Sequence, residues 1–466
     1  MTGPLRASGA TVFRRASVGF LALLLFLPAT VLGGGARVDF PEAVSRAMTN
    51  NPFLSAAGEE WAAAKKDTEA ARGYYLPSLT FEERFVRTNI PSEAFAFKIN
   101  QERMLLSDFA SVDNFNKPSP INEYMTTFTV EQALFAPKVY LGHRMAGREA
   151  GAKGLELRRK KEEVAYQVLS SYLGVLTAKE FMQVAAQGQE DAKEHHRIAE
   201  AVERSGMGLA SDVLRAKVFL ASAESSRVTA ENRLALAQRG LALAMGEKSG
   251  SEVDAAAALP PLPDEGSLED RIAVALAGRA DLRAFSLRVE NAAANVALQR
   301  SDYLPTVGVM GAWQMDGQEG VFSPDNHAWK VGMGLKWNLF DGFRREAAVA
   351  RSYAESGKAK AYYRGARDVA AFQVTRAYLG IEEAGKRVEI ARSAAAAAEE
   401  GTRLIKARYE NQLGRMVDLL DAQSALNAAR ADLVKAENDL RQSRAELLFA
   451  SGTLLTWALP GGSEEK

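Results

Sequence analysis

Residues 329–339 read Trp-Lys-Val-Gly-Met-Gly-Leu-Lys-Trp-Asn-Leu, and their alternation decides the fold. The odd positions, Trp329, Val331, Met333, Leu335, Trp337 and Leu339, are all apolar, whereas Lys330, Gly332, Gly334, Lys336 and Asn338 fall between them. Successive side chains of a strand point to opposite faces, so one face here is apolar and the other polar and glycine-rich. A strand of about 10 residues with tryptophan towards its ends matches one that crosses a bilayer within an aromatic girdle. A half-buried strand of a soluble sandwich would alternate in the same way. Recurrence disfavours that alternative. Val307, Val309, Trp313 and Met315 alternate with Gly308, Ala312 and Gln314, and Tyr124, Phe128 and Val130 with Thr127, Thr129 and Glu131. Leu79, Phe81 and Phe85 alternate with Thr80, Glu82 and Arg84, so four such strands are predicted in a chain that is otherwise helical.

The helical character comes from what is absent and from a seven-residue beat. No proline occurs from Lys138 to Leu259 or from Asp325 to Leu459, which permits long alanine-rich helices. Leu419, Leu426, Leu433, Leu440 and Leu447 recur every seventh residue, each followed three positions on by Ala422, Ala429, Ala436, Ser443 or Ala450. This is the a/d seam of helices packed side by side. Val213, Leu220, Arg227, Leu234 and Leu241 with Ala216, Ala223, Ala230, Ala237 and Ala244 repeat it earlier in the chain. At 1.5 Å per residue a helix from Ser211 to Gly246 would run about 50 Å, and one from Lys138 to Ser205 about 100 Å. Those lengths suit a tube or stalk better than a compact bundle.

The chain is written twice. Leu76-Pro77 recurs as Leu304-Pro305, an offset of 228, whereas Gln167-Val168 with Tyr172-Leu173-Gly174 recurs as Gln373-Val374 with Tyr378-Leu379-Gly380 at an offset of 206. Gly208 and Asp212 recur as Gly414 and Asp418 at the same offset of 206. The drop in offset places an insertion in the first copy between residues 77 and 167. The predicted organisation is a first repeat over 37–246, a connector over 247–267 that reads as an extended linker with its Pro260-Pro261-Leu262-Pro263 cluster, a second repeat over 268–456 and a tail over 457–466.

Composition narrows the function. Lys+Arg and Asp+Glu both number 58, so bulk charge does not indicate nucleic acid as a partner. There is no cysteine, which excludes disulfides, thiolate metal sites and cysteine nucleophiles. Residues 1–36 place Arg6, Arg14 and Arg15 before an apolar run and end on Gly33-Gly34-Gly35-Ala36, the pattern of a secretory signal; Pro28 and the short apolar core disfavour an anchor helix. No later stretch is long and apolar enough for a spanning helix, so any crossing must use strands. Four strands do not close a barrel, and an open edge in lipid leaves backbone groups unsatisfied; the barrel must be shared between chains, in a number the pattern alone does not choose.

Taken together, the signal segment, the duplicated helix-hairpin-helix units, the Leu-Pro before each first strand, the exits Leu134-Phe135-Ala136-Pro137 and Leu339-Phe340-Asp341-Gly342, and the segment Tyr409 to Gln423 resemble the TolC family of outer-membrane efflux proteins. The resemblance covers essentially the whole chain after the signal. It implies a mainly α fold with a β-barrel part: a homotrimer in which each chain gives four strands to a twelve-strand transmembrane β-barrel and long helices to an α-helical barrel continuous with it. It further implies an outer-membrane exit duct with a large periplasmic part, partnered by a periplasmic adaptor (membrane fusion) protein and an inner-membrane pump or type I secretion transporter. By the same resemblance Asp418 and Asp421 would line the entrance as carboxylate rings, Tyr409 would bond Asp212, and Arg415 would tether Ser211. Two departures bear on those tethers: position 412, where the family has glycine, is glutamine, and the family arginine is displaced to Arg415.

No enzymatic pattern competes, and no cofactor or metal is indicated. His195 and His196 are adjacent, point about 100° apart on a helix and cannot share one metal; a solvated face is expected for them. Gly380 to Lys386 has phosphate-loop spacing but continues with Arg387 and lies in a helical run. The rival from another class is a soluble periplasmic coiled-coil adaptor or scaffold, which shares the heptads and the signal but has no use for Trp329 to Leu339.

Overall fold

The structure, a computed structural model, describes residues 36–459 except 249, 257, 258, 264 and 323–325. The predicted signal segment therefore lies outside the described residues save for Ala36, as does the end of the tail from 460. The first repeat comprises β1 (Ala36–Val38), α1 (Phe40–Asn50), α2 (Pro52–Gly73), β2 (Ser78–Thr88), α3 (Pro91–Asn100), α4 (Val112–Asn116), β3 (Ile121–Phe135), α5 (Pro137–Arg204) and α6 (Ala210–Ala244). The connector carries β4 (Val253–Ala255). The second repeat holds α7 (Leu268–Gly278), α8 (Ala280–Arg300), β5 (Thr306–Gly317), β6 (His327–Lys336), α9 (Arg344–Glu410) and α10 (Met416–Ser451), followed by α11 (Leu454–Ala458).

The duplication extends to the helix caps. Asp39 accepts from the Glu42 N–H to start α1, and Ser267, 228 positions on, accepts from the Asp270 N–H to start α7. Each cap satisfies one of the donors that a helix start leaves open. α5 and α9, of 68 and 67 residues, each turn back through a short loop into helices of 35 and 36 residues. The predicted seam packs as a seam: Leu419, Leu426, Leu447, Ala436 and Ala450 of α10 and Ala216, Ala230, Leu241 and Ala244 of α6 are buried.

The largest core joins the two repeats around the middle of α5. Val168, Leu169, Tyr172 and Leu173 are buried with Phe40, Leu241, Met245 and Leu454. A parallel pair, β1 with β4, crosses this core. It is pinned by α5: Tyr172 Oη donates to the Ala256 carbonyl at 2.7 Å, and Lys179 Nζ donates to the Ala255 carbonyl at 2.7 Å and pairs with Asp254 at 2.6 Å. The connector is thus woven into the core, and so is Trp457, which packs on Phe40 and donates to the Pro261 carbonyl. Two arginines close the C-terminal end of α10. Arg159 lies over the Phe449 ring, donates to the Phe449 carbonyl and pairs with Glu162 at 2.8 Å. Arg279 donates to the Ala450 carbonyl and to Gln373, and pairs with Asp281 at 2.7 Å. Carbonyls of a last helical turn have no i+4 donor, so one arginine from each repeat supplies them, beside the Gly452 N–H that also reaches the Phe449 carbonyl.

The four aromatic strands form one antiparallel sheet in the order β2-β3-β5-β6, which does not close on itself. One expectation needs correction. β6 ends at Lys336, so Trp337 and Leu339 lie beyond the strand. Thr306–Lys336 is the last pair, and the residue before Thr306 is Pro305, which has no N–H to continue the ladder. The freed carbonyls of Asn338 and Leu339 are taken by the Arg345 guanidinium at 2.8 and 3.0 Å, and Trp337 Nε1 donates to the Tyr303 carbonyl at 3.0 Å.

Candidate functional site

Two regions of the chain carry side chains that its own packing does not explain: the sheet and the opposite end of the helices. In the sheet the pairing register places Phe81, Phe128, Trp313 and Trp329 in one row across all four strands. Phe81 and Phe128 meet at 5.3 Å between ring centroids, and Phe128 and Trp313 stack at 6.0 Å. Leu79, Val130, Gly311 and Val331 form a neighbouring row, and Val309 sits opposite Met333. The same register collects Glu82, Arg84, Thr127, Thr129, Ala312 and Lys330 on the other face. Trp329, Val331, Met333 and Leu335 of the predicted apolar face are each at least two-thirds exposed (66–75%), as is Leu339 at 72%, and Trp337 is 55% exposed. β2 and β6 each have a strand on one side only, so two rows of backbone N–H and C=O groups have no sheet partner among the described residues. Among the described residues no helix is long and apolar enough to cross a membrane.

The other region is the pair of turns at 205–209 and 411–415, which link α5 to α6 and α9 to α10. They use the same backbone path: Gly206 has φ 77° and its counterpart Gln412 has φ 63°. The left-handed region suits glycine, so glutamine carries strain there. Gln412 Nε2 also contacts Met207 Sδ at 3.1 Å and thereby ties the two turns together.

The candidate gate residues lie on and around these turns. Tyr409 is buried against Ile198, Ala199, Ala216, Met416 and Leu419. Burial, reinforced by the nearby charge of Asp212, raises the phenol above its ordinary range. Arg415 forks onto Asp418 (Nη2–Oδ1 2.9 Å, Nε–Oδ2 3.2 Å), and this bond holds the Asp418 carboxyl below its usual range. Asp418 sits in the first turn of α10, where the helix dipole also favours a carboxylate. Asp421 is exposed. Ser211 is exposed at the start of α6. Among the described residues no hydrogen bond joins Tyr409 to Asp212 or Arg415 to Ser211. The structure thus gathers these groups at one end of the chain and gives Arg415 to Asp418.

A buried polar chain behind the tip escaped sequence reasoning. His195, expected on a solvated face, is only 2% exposed and meets Gln423 Oε1 at 3.1 Å; Gln423 Nε2 donates to Asp191 at 3.0 Å and to Asn427 at 3.1 Å. α10 packs over this side of α5, so adjacency to His196 did not decide its environment. Gln423 and Asn427, four residues apart among leucines and alanines, were the available signal. Burial lowers the His195 pKa from 6.5. Gly380 to Lys386 lies inside α9, where no phosphate loop forms. Among the described residues no group of three His, Asp or Glu side chains could hold a metal ion.

Comparison with known proteins shows what the whole chain is similar to. A family model described as outer membrane efflux protein matches residues 43–247 and 272–453. The outer membrane efflux protein BepC of Brucella suis is 24% identical over 460 residues, covering 95% of this chain and 92% of that protein. The alkaline protease secretion protein AprF of Pseudomonas aeruginosa is 22% identical over 316 residues, covering 66% of this chain and 62% of that protein. The crystal structure of the outer membrane protein VceC from Vibrio cholerae superposes with a TM-score of 0.74 at 19% identity, covering 89% of this chain and 96% of that one.

Two outcomes follow for the tip. Gln412→Gly relieves the left-handed strain and raises stability by about 0.5–1 kcal/mol, while Gly206→Ala lowers it by about as much; thermal unfolding of the purified protein checks both. Above about pH 6.5 His195 is neutral in folded and unfolded chain alike, and below it the unfolded chain gains a proton that the folded one resists. The melting temperature therefore falls between pH 7.5 and 5.5, and His195→Gln, which cannot titrate, shows a smaller fall.

Proposed function

The chain belongs to the outer membrane efflux protein family, and from that membership we infer that three copies build one continuous duct. The protein is an outer-membrane channel through which efflux or secretion cargo leaves. In the proposed trimer each chain lends four strands to a twelve-strand barrel and its four long helices to an α-helical tube beneath it. The observation that carries the reading is the four-stranded sheet with one apolar face and two unpaired edges. Lipid offers no hydrogen bonds, so each edge needs the edge of another copy. The helices support the same assembly. Tyr362, Val369, Ile390 and Leu404 of α9 lie at multiples of seven and are exposed, as are Leu236 and Leu243 of α6. These apolar side chains lie uncovered among the described residues, and neighbouring copies would cover them.

The far end of the tube carries the proposed entrance. Three copies would bring three Asp421 carboxylates around the axis, and clustered like charges focus a field that favours cations. Asp418 contributes less, because Arg415 already neutralises it. Tyr409, beside Asp212, would hold the second-repeat hairpin inward, Arg415 would tether Ser211 as a second bond of the closed tip, and an iris-like opening would exchange these bonds for adaptor contacts. An adaptor protein and an inner-membrane pump or secretion transporter are the proposed partners that drive this exchange.

The assembly is tested in membranes. Wild-type protein is expected to resist carbonate extraction and to run in detergent with the mass of three chains. Val331→Arg puts a charge on the lipid face of every copy at a cost of about 2–4 kcal/mol per chain near the bilayer midplane and abolishes assembly, whereas Lys330→Arg on the opposite face is tolerated. Release of the wild type into the soluble fraction would sink the reading. In planar bilayers under a salt gradient, Asp421→Asn shifts the reversal potential towards lower cation preference more than Asp418→Asn does, and Tyr409→Phe raises the frequency of openings.

A further inference from the structure

The two hairpins of the sheet close differently. Residues 318–326 join β5 to β6, whereas residues 89–120 join β2 to β3 and contain α3, a 3-10 turn at Leu106–Phe109 and α4. The longer connection folds back onto the sheet. Ala94 and Phe97 of α3 are buried against Val86 and Ile121. By the pairing register Val86 and Ile121 share a face with Glu82, Arg84, Thr127 and Thr129. That is the polar face, directed away from lipid and into a closed barrel. Gln101, just after α3 and 2% exposed, donates from Nε2 to the Asn122 carbonyl at 2.8 Å and to the Glu123 carboxylate. Glu123 is fully buried on the same polar face, and Asp316, from the neighbouring hairpin, is buried as well.

The segment also has a framework of its own. Lys98 pairs with Asp108 at 2.8 Å, Asp108 accepts from the Leu105 N–H at 2.9 Å, and Asn114 donates to the Ser107 carbonyl at 3.0 Å. Phe95, Phe109 and Phe115 form a triangle with ring centroids 5.2–6.2 Å apart. A segment so cross-linked moves as one piece.

Resting on the shared-barrel reading, we propose that residues 91–118 form an inward-folded cap that narrows the outer mouth of the duct, latched to the wall by Gln101 and Phe97. Dimensions support it. Twelve tilted strands about 4.8 Å apart enclose a ring about 24 Å across at the backbone, and side chains reduce the free bore further. A helix with its side chains is about 10 Å wide, so three caps on the inner wall take up most of that bore. The duct would then carry a constriction at each end, and the outer one would yield by swinging the cap off Glu123 and Ile121.

The absence of cysteine makes a direct test available. Thr129→Cys places a single thiol on the polar face, six residues beyond Glu123 and therefore about 20 Å deeper along β3. Intact cells exporting this variant are treated from outside with a small impermeant maleimide and with a bulky polyethylene-glycol maleimide. Adding Gln101→Ala and Phe97→Ala is expected to make bulky labelling at least about tenfold faster, the shift in the closed-to-open ratio when a hydrogen bond to a carboxylate is lost. Replacing residues 91–118 by a short turn is expected to do the same without depending on the latch. Equal bulky labelling with and without the cap, whether fast or slow, overturns the cap. Failure of even the small reagent to reach the thiol in any version overturns the shared-barrel reading instead.

Discussion

Two rows of unpaired backbone groups, along β2 and along β6, constrain everything else in this molecule. In water such rows are solvated at little cost. In hydrocarbon each unsatisfied N–H or C=O costs several kcal/mol, so a sheet of this kind is admissible only when other strands complete it. The apolar row Phe81, Phe128, Trp313 and Trp329 suits the sheet to that environment, and in the proposed assembly the edges would be completed by neighbouring copies. Below the sheet α9 and α6 leave several apolar side chains exposed at heptad spacing, where the proposed assembly would seat the next copy.

Much of this architecture was legible because its elements are long and regular. A helix of 35 residues repeats its seam five times, so an interruption such as Arg227 in α6 does not hide the period. The strands were legible for the opposite reason, since lipid on one side and water on the other give the sharpest alternation a strand can have. The parts missed are short or non-local. β1 and β4 have three residues each and are brought together from distant positions by Tyr172 and Lys179, so no period announces them. Trp337 and Leu339 continue the alternation of β6, but the alternation says nothing of Pro305 across the ladder, which ends the pairing one residue earlier. His195 was misjudged because its surroundings come from α10, more than 200 residues away.

At the tip, the family resemblance pointed to the groups but did not settle how they pair. Asp212 lies near enough for its charge to act on Tyr409, and Arg415 takes Asp418 because a partner three residues along the same helical turn is already in reach, whereas Ser211 lies on another hairpin. The departure from glycine at 412 was visible in the sequence; its consequence, a glutamine held in the left-handed region, needed the backbone.

The duplication gives a ring of three such chains six nearly equivalent wedges. The matched caps at Asp39 and Ser267 and the matched turns at 206 and 412 would make alternate wedges of the proposed ring alike in outline, and such a ring would approximate six-fold symmetry. Only where the copies differ does the symmetry drop to three. A binding partner that must dock in one rotational setting can find it only through those differences, and Gln412 against Gly206 is one that sits on the rim where it would be read.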